Sequence, residues 1–193
     1  MSKSKQYSGA HRLLHWLIAF SMLFMLLTIF LRLNWMNKYV MSDILMEQLT
    51  KVGVAITEKQ SIKIAKVIRG NMFEWHIYVG YLLIGLYSLR LALNAKMHGF
   101  KFSNLTSSAI PAKEKFQSWV YTIFYVCVGG SLITGTCIVN DIGPHKLLED
   151  IHKLSLYYLV TFVVLHFVGI VIGEFTNKPN SVSEMIHGKQ EDE

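Results

Sequence analysis

The sequence predicts an all-α membrane protein, a bundle of four transmembrane helices with one amphipathic surface helix in its first loop. Three observations lead there. Of 193 residues, 52% are apolar and only 17% charged, and the mean hydropathy of +0.34 exceeds that of ordinary water-soluble domains. Four stretches, 13–33, 75–94, 118–139 and 154–173, reach the length of about 20 mostly apolar residues that spans a hydrocarbon core. The tryptophans Trp16, Trp35, Trp75 and Trp119 all fall near the ends of those stretches, where amphipathic rings favour the headgroup region.

The first stretch follows Lys3, Lys5 and Arg12, so it competes with a signal peptide. The run from Leu13 to Leu31 is longer than an h-region of about 7 to 15 residues, and no small-residue cleavage site follows it, which makes it a retained span. Cys127 and Cys137 lie in one apolar run, where ten residues of helix separate them by about 15 Å, beyond disulfide reach. Lys plus Arg number 19 against 13 Asp plus Glu. In a membrane protein that excess belongs to basic loops, and it gives no ground for a nucleic-acid partner.

An even number of spans puts both termini on one side. The segment 94–117 carries Lys96, Lys101, Lys113 and Lys115 against Glu114, while Asp141, Glu149 and Asp150 follow the third span. The positive-inside rule therefore predicts cytoplasmic termini. In the loop 34–74, Thr57-Glu58-Lys59-Gln60 spells a capping box, and Gly70 offers a stop. Between them a helix over 58–69 sets Lys59, Lys63 and Lys66 on one face and Ile64, Ala65 and Ile68 on another, the pattern of a helix lying on a membrane surface. The tail from Lys189 to Glu193 reads as disordered.

Ionisable residues at membrane depth are costly and usually functional, so the eight histidines matter most. His15, His76, His152 and His166 lie at or inside span edges; His98 and His187 lie in polar segments, and His11 and His145 fall outside the apolar runs. On a continuous fourth helix, the 14 residues between His152 and His166 fall about 40° short of four turns and cover roughly 21 Å. Both then point one way, near opposite membrane faces, and cannot share one metal ion. Antiparallel neighbours supply the second member of each pair: His15 at the level of His166, His76 at the level of His152. His11 lies one turn before His15 on the same face, and depth favours His15. His145, after Gly143 and Pro144, marks a helix start outside the hydrocarbon.

Two facing imidazoles at each level suit a particular ligand. Zinc wants four donors, and no Cys, Asp or Glu clusters at either height. Haem brings four nitrogens, needs only axial ligands, and buries an apolar macrocycle among helices. The expectation is two haems, each with two axial histidines. Arg90 lies 14 residues after His76, on the same face and at the level of His15 and His166. No carboxylate stands at that height, so haem propionates would supply its anionic partner. Arg69 and Lys153 are weaker candidates for the outer haem's propionates. The glycines of the spans, including Gly129, Gly135, Gly169 and Gly173, fit close helix packing as well as they fit a macrocycle.

Tyr7-Ser8, His15-Trp16, the segment Glu74-Trp75-His76-Ile77-Tyr78-Val79-Gly80-Tyr81, and the pair His152 and His166 resemble the bacterial cytochrome b561 family over nearly the whole chain. The resemblance implies a four-helix inner-membrane electron-transport cytochrome with two b-type haems, and ligands His15 with His166 and His76 with His152. It implies cytoplasmic termini, and electron exchange between quinone and a redox partner. That family shades into the b-type subunits of hydrogenases and thiosulfate reductases, so the alternative reading is a membrane cytochrome b subunit of a larger dehydrogenase or reductase complex, with a dehydrogenase subunit as partner. From another class, a histidine-based metal or proton transporter is the rival, but it would want ionisable groups spread through the midplane.

Overall fold

The computed structural model describes residues 9–98 and 111–176. Lys3, Lys5, Tyr7, Ser8, Lys101, His187 and the tail 189–193 lie outside the described residues. Among those described there are six helices and no strand: α1 (Gly9–Leu33), α2 (Lys38–Lys51), α3 (Glu58–His98), α4 (Ala112–Val139), α5 (His145–Lys153) and α6 (Ser155–Thr176). Four stretches, Gly9–Leu33, Glu58–Lys96, Lys115–Val139 and His145–Phe175, are long and apolar enough to cross a membrane. The expected all-α, four-span architecture is borne out. Phe20, Leu27, Val126, Ile133, Val164 and Val171 are all exposed along these helices, as lipid-facing positions require, since every backbone polar group inside a bilayer must be satisfied within its own helix.

The chain forms two compact units, Met1–Ile18 with Leu86–Glu193, and Ala19–Gly85. In the second unit, α2 opens on Asn37, whose side chain accepts from the Tyr39 N–H at 3.0 Å. It closes on Gly53 at φ +78. The Gly53 N–H donates to the Thr50 carbonyl and the Val54 N–H to the Leu49 carbonyl, the paired bonds of a Schellman stop, which needs the left-handed conformation a glycine adopts without strain. The next helix starts on the expected capping box: the Thr57 N–H donates to Gln60 Oε1 at 2.8 Å, and the Gln60 N–H to Thr57 Oγ1 at 3.3 Å.

Two expectations about the first loop are corrected here. Gly70 does not end a helix: α3 runs through it for 41 residues, about 62 Å at 1.5 Å per residue, twice the roughly 30 Å of a hydrocarbon core. Gly70 keeps a negative φ, and the packed face continues past it. Nor is 58–69 a separate helix, although Ile64 and Ile68 of its apolar face stay exposed. Ser61 and Ala65 are completely buried, and Ser61 Oγ meets Ser42 Oγ at 2.7 Å and donates to the Ser42 carbonyl at 2.8 Å. The segment is the outer part of the second span's own helix, packed through small residues on α2. The helix 38–51 was not expected, although Asn37 and Gly53 are both visible punctuation.

In the first unit, α4 packs on α5 and α6, with Phe124 stacked on Phe162 at 3.4 Å between centroids. Tyr87 donates its hydroxyl to the Tyr125 carbonyl at 2.8 Å. After Asp141 and Gly143, both at positive φ, α5 starts at His145 behind Pro144, as expected. A third correction concerns the fourth span, which is not one rod. The helix breaks at Leu154, where the Leu154 N–H bonds to the Ile151 carbonyl and the Tyr157 N–H to the Leu154 carbonyl, three residues back each time. His152 sits on the short α5 and His166 on α6, on either side of Leu154, which keeps right-handed helical angles.

Candidate functional site

In the first unit, α1 and α6 bring His15 and His166 together. Their ring centroids lie 6.1 Å apart with planes tilted by 47°. Both imidazoles are half-buried. Phe162, one turn earlier on α6, stacks on His166 at 5.7 Å and 14°; it is held in turn by Phe124. Trp16 meets the edge of His15 at 5.7 Å. Arg90 lies within electrostatic reach of His15. Its Nη1 is buried with no hydrogen-bond partner, and Arg90 takes part in none of the ion pairs among the described residues. His11, one turn before His15, is buried, but it is His15 that stands beside His166.

His152, also in the first unit, is fixed by α4. Its Nδ1 lies 3.0 Å from the Ser131 carbonyl and 3.2 Å from Thr134 Oγ1. A carbonyl only accepts, so Nδ1 carries the proton and Nε2 carries the lone pair. Thr134 Oγ1 lies within reach of the Gly130 and Ser131 carbonyls, and Tyr158 donates to Ser131 Oγ at 2.9 Å, which ties this part of α4 to α6. Gly135 makes the approach possible. A Cβ there would stand 2.9 Å from His152 Cε1 and 3.4 Å from Nδ1, closer than a ring and a methyl group tolerate.

In the second unit, His76 on α3 is buried. Its Nδ1 meets Thr28 Oγ1 on α1 at 2.7 Å, and Thr28 gives its one hydroxyl hydrogen to the Met25 carbonyl at 2.7 Å. With that hydrogen committed, Thr28 accepts from His76, so Nδ1–H is the donor and Nε2 again bears the lone pair. Phe73 stacks on the His76 ring at 5.0 Å with planes 8° apart.

His76 and His152 belong to different units, and each ring is fixed inside its own. In both, Nδ1 donates to a fixed acceptor, as the outer-shell partner of a metal-binding imidazole does. Thr28, Ser131 and Thr134 are neighbours of these rings that the sequence did not single out, whereas Gly135 stood among the span glycines it did. His145 is exposed, in keeping with a helix start outside the hydrocarbon. Among the described residues no group of three or more His, Cys, Asp or Glu could hold a metal ion.

The family model for prokaryotic cytochrome b561 matches residues 6–188. The chain belongs to that family. No curated protein and no solved structure matches it. This cytochrome is therefore a multi-pass bacterial membrane protein that binds b-type haem and serves electron transfer.

Its residues fit the cofactor. Imidazoles on opposite sides of one metal, each nitrogen about 2 Å away, set their centroids roughly 6 Å apart, and His15 and His166 stand at that spacing. The orphaned guanidinium nitrogen of Arg90 beside them is the donor a propionate carboxylate would satisfy.

Proposed function

We propose that this cytochrome carries electrons across the membrane through two b haems, one held by His15 and His166 and the other by His76 and His152. It would exchange electrons between the quinone pool and a redox partner, either a separate redox protein or a dehydrogenase subunit. The observation that carries the reading is the His15–His166 pair at 6.1 Å beside the unsatisfied Arg90. The haem supplies reversible one-electron exchange at its iron.

The chain's own residues do the rest. The Ser131 carbonyl and Thr28 hydroxyl hold the Nδ1 protons of His152 and His76, which fixes the tautomer and the ring orientation and raises the basicity of Nε2. Phe162 and Phe124 form an aromatic wall behind His166 and keep water from that ring. Arg90 offers a cation to carboxylates in a setting where an uncompensated charge is expensive. Two histidines per iron leave no open position, which suits an electron carrier better than an oxygen-activating centre. Cytoplasmic termini are part of this reading, supported by the basic segment 94–117.

The test is a pyridine haemochrome spectrum of protein purified after expression with ample iron and porphyrin precursor. Two b-type haems per chain are expected. One haem per chain removes the two-site reading, and none removes the electron-transfer reading for this chain.

A further inference from the structure

The second unit holds a cavity of about 270 Å³ lined by Arg32, Lys66, Arg69, Gly70, Met72 and Phe73. Three of these residues are cationic, and none of the three is in an ion pair among the described residues. The Arg32 guanidinium carbon lies 4.6 Å from the centroid of the Phe73 ring. A helix C-terminus attracts one cation, and Arg32 is in the last turn of α1. That accounts for Arg32, but not for two more cations converging on the same cavity from α3. Like charges gathered without a counter-charge repel one another, and an anion shared among them relieves that repulsion.

The register of the two helices points to which anion. Thr28 on α1 contacts His76 on α3, and Arg32 contacts Phe73. Rising numbers on one helix meet falling numbers on the other, so the pair is antiparallel. Arg32 is one turn beyond the residue that fixes His76. Arg69 is two turns, about 10 Å, from His76 along the same face of α3, with Phe73 stacked on the imidazole between them. The cations thus lie at one end of the column that holds His76. A lipid phosphate has no reason to be in register with an imidazole, whereas the carboxylates of a cofactor ligated by that imidazole do.

We propose that this cavity holds the propionate carboxylates of the haem bound at His76, with Arg32 and Arg69 as the pairing residues and Lys66 a turn further out. The proposal rests on the haem reading above. Arginine suits the role because its planar fork meets a carboxylate with two parallel hydrogen bonds.

The experiment compares the holoprotein with an Arg32→Gln/Arg69→Gln double variant by two readouts: the propionate bending band in the resonance Raman spectrum, and the rate of haem transfer to apomyoglobin. The expected result is a shifted band for one of the two haems and loss of that haem about tenfold faster, the scale of one charged hydrogen bond. Lys63→Gln, on the exposed side of α3, leaves both readouts unchanged. Arg69→Lys keeps the charge but loses the fork, so it shifts the band less; it also keeps the test readable if the double variant does not fold. An unchanged band with wild-type haem loss overturns the proposal. An unchanged band together with loss of bound phospholipid phosphorus assigns the cavity to a lipid headgroup and overturns it equally. The haem reading fails separately, through a His76→Ala protein that keeps its full haem content.

Discussion

His15 and His166 in the first unit, and His76 in the second, are imidazoles with the same proposed task in different surroundings. The first two face each other, half-buried, beside Arg90, whose buried Nη1 has no hydrogen-bond partner among the described residues. His76 is itself buried, tied by a strong hydrogen bond to Thr28 and covered by Phe73, and its column ends in an open cavity with three cations. Under the proposed reading, the difference would separate two ways of handling an anionic cofactor in a membrane. A single buried arginine answers the charge where water is scarce, at high energetic stakes per contact. Several cations near a helix end answer it where solvent still screens them, so each contributes less.

The sharpest break of this comparison is removal of a ligand from each side. His15→Ala should abolish mainly the haem of the His15–His166 pair and leave the other; His76→Ala should do the reverse. Haem-to-protein ratios near one, with different residual midpoint potentials in a redox titration, are the expected outcome. Equal loss of both haems from either variant would mean that the sites are not separate.

Next in size is Gly135→Ala. Its Cβ would stand 2.9 Å from the His152 ring, so the imidazole must leave the Ser131 carbonyl. Disturbing outer-shell support of a ligand typically costs about 10- to 100-fold in affinity. Faster loss of one haem to apomyoglobin is expected, with the His15–His166 haem retained. Gly129→Ala is the matched control. Its Cβ would meet the Tyr87 hydroxyl at 3.0 Å, which is the far end of a side chain and not a histidine ring, and haem retention should stay at the wild-type level.

The smallest expected effect is that of Arg90→Leu. Removing a positive charge beside the His15–His166 pair favours the ferric over the ferrous state, so the midpoint potential of that haem alone should fall. A redox titration in which neither potential moves would leave Arg90 without the propionate role and make its buried nitrogen unexplained.

Part of this was legible in the residues. The four spans follow from hydropathy, and the Thr57–Gln60 capping box from four consecutive letters, because both are local properties. The positions of His15, His76, His152 and His166 stand out because ionisable groups are rare in apolar runs. Gly70 misled for a physical reason: a glycine stops a helix only where the chain turns left-handed, and here the packed face of α3 continues through it. Leu154 gave no warning of the break between α5 and α6, since leucine is a good helix former and its turn is set by packing around it.

Sequence alone thus determined how many helices cross the membrane and which residue types arrive at its edges, since burial in lipid selects for composition and length. Only the tertiary structure decided what each imidazole leans on. A backbone carbonyl such as that of Ser131 exists at every residue and leaves no mark in the sequence, and the hydroxyl of Thr28 lies 48 residues from His76. Which nitrogen of these histidines carries the proton is therefore fixed by neighbours that only folding brings within hydrogen-bond distance.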